Sequence, residues 1–257
     1  MPHLLAIDIG NTTAHVGAFD GDRLVFSFRL ASTHTRTVDE AALLLKQLLA
    51  DAQIPPSTLA GAVMCSVVPV LTPVIAQAVE VVTGFRPHEV THRSKLTIRI
   101  ATTFPEQVGT DRIANAEGFW VEHHTAGIVV DFGTATTFDV ISQDGAYLGG
   151  AIAPGIETSA ERLSHKAAQL FKVAIISPAS PIGKTTEDAL RAGLYYGTIG
   201  AVDEIVSRIA REMGGAPKVI ATGGLAHLIA DGSKTIGEVD PILTLKGLRA
   251  IWLANHP

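Results

Sequence analysis

The same short pattern occurs twice in this sequence, about half a chain apart. From Leu4 to Thr13 the chain reads LLAIDIGNTT, and from Gly127 to Thr137 it reads GIVVDFGTATT. In each copy an apolar run leads to an Asp, one further residue, a Gly and small polar residues. The apolar run is long enough for a buried strand, and the Gly begins a tight turn. A second apolar stretch follows, at 14–19 and 138–141, so each copy predicts a β-hairpin with an Asp and hydroxyl groups at its tip.

The residues at these tips suit a phosphate group. Gly lets the backbone approach an anion closely, and successive N–H groups form a concave nest. Thr and Asn side chains add donors, whereas Asp repels phosphate and is better suited to hold a cation that bridges to it. One copy alone is more typical of an ordinary turn built from Asp and Gly, and it is the second copy that favours a phosphate site. Two tips facing each other across a cleft would clamp a phosphate.

Composition narrows the class of protein. At 257 residues, 47% of them hydrophobic, the chain can build one large domain or two smaller ones with a sizeable core. Charged residues make up 18% and the net charge is −5, which gives no electrostatic reason to expect a nucleic-acid or membrane partner. We see neither a membrane-spanning run nor a signal peptide. The only cysteine, Cys65, excludes an intramolecular disulfide, fits a reducing cytoplasm and is expected to be a small buried side chain.

The pattern along the chain predicts an α/β fold. Strands are expected at 3–8, 14–20, 24–30, 61–67, 146–152 and 218–221, in addition to the second hairpin. Helices are expected at 38–51, 70–83, 110–123, 186–213, 225–230 and 240–254, with another after Pro154-Gly155. Three strands followed by strand–helix alternation occur twice, which predicts two similar α/β domains, at 1–122 and 123–257.

A third glycine-containing turn follows the strand predicted at 218–221. There Thr222-Gly223-Gly224 connects the strand to a helix, and such a turn presents backbone N–H groups to a flat ring or a phosphate. Strand–Gly–Gly–helix connections are common, so a simple tight connection is the alternative.

These three turns, in this order, resemble the phosphate-1, phosphate-2 and adenosine motifs of the actin, sugar-kinase and Hsp70 ATPase superfamily. Within it the chain resembles the type III pantothenate kinase family over nearly its whole length. Further segments that match this family are Arg36-Thr37 with Asp39-Glu40, Ser66-Val67-Val68-Pro69, Gly109-Thr110-Asp111-Arg112, Gly149–Gly155 and Gly183-Lys184-Thr185-Thr186.

The resemblance implies two ribonuclease H-like, actin-like ATPase domains with a central cleft. It implies ATP-dependent phosphorylation of the primary hydroxyl of pantothenate, the first step toward coenzyme A. It also implies a need for Mg²⁺ and a monovalent cation, K⁺ or NH₄⁺, and a homodimer with the active site near the subunit interface.

Residue roles follow from the resemblance position by position. Asp111 matches the catalytic proton acceptor and Asp131 the monovalent-cation ligand. Asp8, at the tip of the first hairpin, is chemically suited to hold Mg²⁺ through water, because Mg²⁺ keeps part of its hydration shell. The expected substrate contacts are Gly109, Thr110, Asp111, Arg112 and Thr186. The expected ATP and phosphate contacts are Asp8, Ile9, Gly10, Asn11, Thr12, Thr13, Ala14, His15, Thr134, Gly223 and Gly224.

Several alternatives stay open. Asp111-Arg112 also fits a helix N-terminal pair that favours the dipole, and Thr186 also fits a helix N-cap. Where the family commonly has a substrate-contacting Tyr this chain has Thr102, beside Thr103 and Phe104. The competing functions are a non-catalytic regulator of the same family, resembling an accessory transcription factor, and a kinase acting on another small hydroxyl compound.

Overall fold

The computed structural model describes residues 3–166 and 173–256. The described residues form two compact units. The first comprises the residues up to His123 together with those from Leu243 onward, and the second runs from His124 to Ile242.

Eleven strands and seven helices are present in the described ranges. The strands are β1 (His3–Ile9), β2 (Thr13–Asp20), β3 (Arg23–Ala31), β4 (Leu59–Ser66), β5 (His88–Glu89), β6 (Arg99–Ile100), β7 (Gly127–Phe132), β8 (Ala135–Ile141), β9 (Ala146–Pro154), β10 (Lys218–Gly223) and β11 (Glu238–Val239). The helices are α1 (Val38–Asp51), α2 (Thr72–Thr83), α3 (Thr110–His123), α4 (Ile156–Lys166), α5 (Thr186–Glu212), α6 (Ala226–Ala230) and α7 (Leu243–Asn255). Short 3₁₀ turns lie at Pro56–Thr58 and Pro105–Gln107.

The sheet of the first unit has the strand order β3-β2-β1-β4-β5. β1, β2 and β3 are antiparallel neighbours, whereas β4 runs parallel to β1 and β5 parallel to β4. In this register Asp8 lies beside His15 on one side and Cys65 on the other. The carboxyl ends of β1 and β4 therefore meet at one edge of the sheet, where Asp8 stands.

The second unit repeats this topology. Its strands lie in the order β11-β10-β7-β8-β9, with β7, β8 and β9 antiparallel and β10 and β11 continuing the sheet in parallel with β7. An antiparallel meander followed by two parallel strands is thus present in both units. The shared strand order and direction confirm the prediction of two similar α/β domains.

Apolar side chains on both faces of each sheet form the cores. In the first unit Leu5, Ile7 and Met64 pack with residues of α1 and α2. In the second, Ile128 and Val130 pack with Tyr195 and Val202 of α5. Burial of these side chains away from water is the main stabilising contribution.

The C-terminal helix belongs to the first unit, which corrects the predicted division into 1–122 and 123–257. α7 crosses α3 at two glycines. A Cβ on Gly118 would lie 2.6 Å from the Leu243 carbonyl oxygen, and one on Gly247 would collide with the Ala114 carbonyl. Only glycine permits backbones to approach this closely, so Gly118 and Gly247 allow α7 to pack directly against α3 in the first unit.

Local signals set several helix boundaries. Thr37 and Glu40 form a reciprocal capping box at the start of α1, which begins and ends where the sequence predicts. α2 begins at Thr72, two residues later than predicted, with Pro73 in its first turn. α3 matches its predicted range, and His124 follows it with a φ of 46°. Across the described ranges, no helix combines the length and hydropathy that a membrane span requires.

Candidate active site

The turn between β1 and β2 is braced by the segment that follows β3. The Gly10 N–H donates to the Thr13 carbonyl at 3.1 Å, which closes the turn. The Ser32 hydroxyl donates to the Gly10 carbonyl at 2.6 Å, and the Ser32 N–H donates to the Thr12 carbonyl at 2.9 Å. The backbone of the turn is therefore fixed, while the side chains of Asn11, Thr12 and Thr13 are exposed.

The other residues predicted at this turn differ in exposure. Ile9 and His15 are only 0% and 6% exposed, so neither side chain is available to a phosphate. Ala14 is half-buried. Burial, reinforced by the nearby Arg29 charge, lowers the pKa of His15 to about 4. The ring is therefore neutral at physiological pH and adds no positive charge to the turn.

Asp8 receives a hydrogen bond from its neighbour in β4. The Cys65 thiol donates to Asp8 Oδ1 at 3.3 Å. Burial raises the pKa of Cys65 well above its ordinary value, and the charges of Asp8 and Asp111 act in the same direction. Cys65 is therefore a protonated, buried side chain, as expected, and two predicted site carboxylates lie around it.

The start of α3 places Asp111 at this same sheet edge. The Thr110 hydroxyl bonds both the N–H and the carbonyl of Ser66, the last residue of β4, at 3.1 Å each. A Cβ on Gly109 would lie 2.5 Å from Asp111 Oδ1, so the glycine leaves room for the carboxylate. Asp8, Thr110 and Asp111 thus come together within the first unit.

The electrostatics of Asp111 are set mainly by burial. Burial raises its pKa above the ordinary value, while the hydrogen bond from the Arg112 N–H, at 2.8 Å, and the Arg112 charge oppose this rise. A carboxylate with a raised pKa accepts a proton more readily than an exposed one. The position in the first turn of α3 also fits the dipole role, so that alternative holds as well.

In the second unit the turn between β7 and β8 is braced in the same manner. The Gly133 N–H donates to the Ala135 carbonyl at 3.1 Å. The Thr134 carbonyl accepts from the Gly155 N–H at 3.2 Å and from the Thr158 hydroxyl at 2.7 Å. The Thr134 side chain remains exposed at the tip.

Asp131 lies against the end of β10. Its strand neighbours are Thr222 in β10 and Thr137 in β8. Gly223 has a φ of 92°, and a Cβ there would lie 2.5 Å from Asp131 Oδ1, whereas a Cβ on Gly224 would meet nothing within 4 Å. The structure thus brings Asp131 and Gly223 together and leaves Gly224 exposed.

Thr186 is the first residue of α5 and is not its N-cap. Thr185 fills that position, since its hydroxyl accepts from the Asp188 N–H at 3.1 Å. The N-cap alternative for Thr186 is therefore wrong. Its side chain is exposed, and its contact with substrate stays a prediction.

The oxygen donors of the two turns fit the implied cations. Within the described residues no three His, Cys, Asp or Glu side chains are grouped as a metal cage. Mg²⁺ retains several waters and binds through one or two carboxylates plus substrate phosphates, so a single Asp8 fits it. Asp131 has Thr222 and Thr137 hydroxyls on the same sheet face, and these oxygen donors fit a hard monovalent cation.

Two features were missed by reasoning from the sequence. The hydrogen bond from Cys65 to Asp8 depends on strand pairing, which no local pattern reveals. Glu117 is fully buried and binds the backbone at Thr97 and Ile98. The available signal was its position as the only charged residue in the otherwise uncharged run from Ile113 to Phe119.

Solved structures with a similar fold identify the class of protein fold to which this chain belongs. A solved structure of a Streptomyces griseus ROK family glucokinase, in complex with glucose and AMPPNP, aligns with a TM-score of 0.52 at 14% identity, covering 99% of this chain and all of that one. A Campylobacter jejuni protein described as a Baf family transcriptional activator aligns at 0.60 and 23% identity, covering 98% of both chains. The chain therefore has the two-domain, actin-like fold of the sugar kinases.

Sequence relatives narrow this class to one family. The family model described as type III pantothenate kinase matches residues 4–208. Type III pantothenate kinases from Dehalococcoides mccartyi and Geobacter sulfurreducens are 46% and 44% identical to the chain, over 98% of its length and 98% and 99% of theirs. The chain belongs to the type III pantothenate kinase family and is a kinase.

Proposed function

We propose that this chain transfers the γ-phosphoryl group of ATP to the primary hydroxyl of pantothenate, giving 4′-phosphopantothenate and ADP. This is the first step of coenzyme A biosynthesis. Besides family membership, one observation carries the proposal. Asp8 and Asp111, a candidate phosphate-side carboxylate and a candidate proton acceptor, both lie around the buried Cys65 at one sheet edge.

Asp111 orients the pantothenate hydroxyl and takes its proton. As the hydroxyl oxygen bonds to phosphorus, the bond from phosphorus to the leaving ADP oxygen breaks and the hydroxyl proton passes to the carboxylate. In a loose transition state this proton moves late, so positioning matters more than base strength. Burial raises the pKa of Asp111, which supports its role as acceptor.

The remaining groups bind and orient the substrates. Phosphate oxygens are held by the turn between β1 and β2, through its backbone and the exposed donors of Asn11, Thr12 and Thr13. Arg112 binds the pantothenate carboxylate through a charge-assisted hydrogen bond. The hydroxyl of Thr110 is committed to Ser66, so we assign Thr110 a backbone contact with substrate.

We also propose roles for residues of the second unit. Thr134 contacts ATP through its exposed side chain, and Gly223 and Gly224 present backbone to the nucleotide. Asp131 holds K⁺ or NH₄⁺, and Asp8 in the first unit holds Mg²⁺ through water. When bound, these cations neutralise charge on the transferring phosphate.

We further propose a homodimer located in the cytoplasm, with the active site near the subunit interface and with Thr186 contacting pantothenate. The single, buried Cys65 is compatible with a reducing compartment.

A non-catalytic regulator is the second candidate, since one structural neighbour is described as a transcriptional activator. A regulator has no need for the phosphate and base residues, yet Asp8, Asp111, Asp131 and Thr134 are all present. The curated relatives matched over nearly full length also carry the kinase name. The enzyme is therefore favoured.

A coupled ADP-release assay with Mg·ATP tests the proposal, run with and without pantothenate and in KCl or NaCl. We expect release to depend on pantothenate and to fall sharply when Na⁺ replaces K⁺. Release independent of pantothenate would overturn the acceptor assignment. Equal rates in the two salts would remove the cation role from Asp131.

A further inference from the structure

Glu117 is a charged side chain with no contact with water. It lies in the middle of α3 and is 0% exposed. The Thr97 N–H donates to both carboxylate oxygens, at 2.9 and 3.1 Å, and the Ile98 N–H donates to Oε2 at 3.2 Å. The carboxylate therefore clamps two consecutive backbone amides of the segment that precedes α3.

A carboxylate is a costly choice for this position. Burial raises the pKa of Glu117, and the hydrogen bonds from Thr97 and Ile98 act in the opposite direction. An apolar side chain would fill the space without desolvating a charge, but it would leave both N–H groups buried without an acceptor. The specific gain from Glu117 is thus the fixed position of residues 97 and 98.

Glu117 holds the start of a loop on α3, and the end of the same loop continues directly into that helix. Residues 99–109 run from the clamped amides to the first residue of the helix, Thr110. Ile100 and Val108 pack against the apolar cluster that contains Ile113 and Ala114 of α3. The segment is therefore held on α3 at both ends, and Glu117 supplies the only side-chain bonds described at Thr97 and Ile98.

This loop carries Thr102 and Phe104. Thr102 Oγ1 is buried and has no hydrogen-bond partner among the described residues, and the Phe104 side chain is 55% exposed. An unpaired buried hydroxyl is unfavourable unless a ligand or water completes it. The loop leads directly to Asp111, which lies about 9 Å from Glu117 along the helix axis.

We propose that Glu117 is a positioning residue for the pantothenate pocket: by clamping Thr97 and Ile98 it fixes Thr102 and Phe104 relative to Asp111. This inference rests on the proposed function. Thr102 supplies the polar group and Phe104 the apolar surface of the wall, and Glu117 acts only through them. Supporting groups of this kind set substrate geometry to a fraction of an ångström.

Glu117→Gln is the test variant, because it keeps the size of the side chain and replaces one acceptor oxygen with an NH₂ donor. The Thr97 N–H bonds both oxygens, so it then faces the NH₂ group whichever oxygen is replaced. We expect residues 97 and 98 to be held less firmly on α3 as a result. We expect the KM for pantothenate to rise about tenfold, with kcat within about threefold and the KM for ATP unchanged. Hydrogen exchange at the Thr97 and Ile98 amides should accelerate in the same variant.

Thr244→Val is the matched control. Thr244 donates to Asn115 Oδ1 at 2.7 Å, so the change also removes a buried hydrogen bond to α3, yet it leaves the clamp intact. We expect an unchanged KM for pantothenate and unchanged exchange at residues 97 and 98. An equal rise in KM in both variants would reduce Glu117 to a general structural role and overturn the inference.

The outcomes separate this inference from the proposed function. If wild-type protein shows pantothenate-dependent turnover but Glu117→Gln has wild-type KM and wild-type exchange, only the positioning role fails. If wild-type protein shows no pantothenate-dependent turnover, the proposed function fails and the positioning role fails with it.

Discussion

Thr110 and Ser66 hold the first turn of α3 against the end of β4. The Ser66 N–H donates to Thr110 Oγ1, and the same hydroxyl donates to the Ser66 carbonyl, each at 3.1 Å. One hydroxyl thus completes the backbone hydrogen bonds at a strand end and fixes a helix start. Since Asp111 is the next residue, this pair sets where the candidate proton acceptor lies.

Removing that hydroxyl should displace Asp111. Thr110→Val keeps the side-chain shape but leaves the half-buried Ser66 N–H without its acceptor, which costs about 1–3 kcal/mol. We expect the free energy of unfolding to fall by about that amount in urea titrations, and kcat to fall about tenfold. Thr110→Ser retains the hydroxyl and serves as the control. If both variants lost kcat equally, the hydroxyl would not be what positions Asp111.

Replacing the acceptor itself should separate activity from stability. Because burial raises the pKa of Asp111, ionisation is less favourable in the folded chain than in the unfolded one. Its contribution to stability therefore falls as pH rises past the ordinary Asp value. Asp111→Asn at neutral pH should lose turnover at least about 100-fold while its Tm stays level or rises. A variant with wild-type turnover would show that Asp111 is not the acceptor.

His15 should make the protein less stable in mild acid. Its pKa is lowered from 6.5 to about 4 in the folded chain, so its stabilising contribution is complete above pH 6.5 and is lost as pH falls toward 4. The full loss corresponds to about 3 kcal/mol. Urea titrations at pH 7.5 and 4.5 should show a smaller difference for His15→Gln than for wild type. An identical difference would mean that other groups control the acid sensitivity.

Two adjacent glycines should respond differently to alanine. Gly223 has a φ of 92° and no room for a Cβ beside Asp131 and Phe132, whereas Gly224 has open space. Gly223→Ala should lower the Tm by several degrees, because a strain of about 1–3 kcal/mol has to be accommodated. Gly224→Ala should unfold within about a degree of wild type in calorimetry. Matching losses would contradict the close approach of Gly223 to Asp131.

Much of the fold follows from local sequence patterns. α1 and α3 lie within their predicted bounds because a capping signal or an acidic first turn marks each start. The two hairpins follow from an apolar run, a Gly and a second apolar run. These signals are short-range, so they are readable without knowledge of tertiary contacts.

Contacts between distant parts of the chain could not be predicted from the sequence. The pattern of α7 shows that it is a helix but not that it crosses α3 at Gly118 and Gly247. The predicted domain division therefore gave α7 to the wrong unit. Glu117 was missed for the same reason, since its partners Thr97 and Ile98 lie on another segment.

The site residues show the same contrast. Asp8, Asp111 and Asp131 were found through motifs, and the structure adds what surrounds them. The Cys65 bond to Asp8 and the close approach of Gly223 to Asp131 both arise from the pairing of parallel strands. Parallel partners are far apart in sequence, so no motif records them.

Identification of the product tests the central claim most directly. The protein would be incubated with pantothenate, Mg·ATP and KCl, and the mixture followed by mass spectrometry and by ADP quantification, with Asp111→Asn as the inactive control. We predict one 4′-phosphopantothenate formed for each ADP released, and neither product with the variant. Bound ATP without phosphopantothenate, or ADP released without it, would contradict the assignment of this chain as a pantothenate kinase.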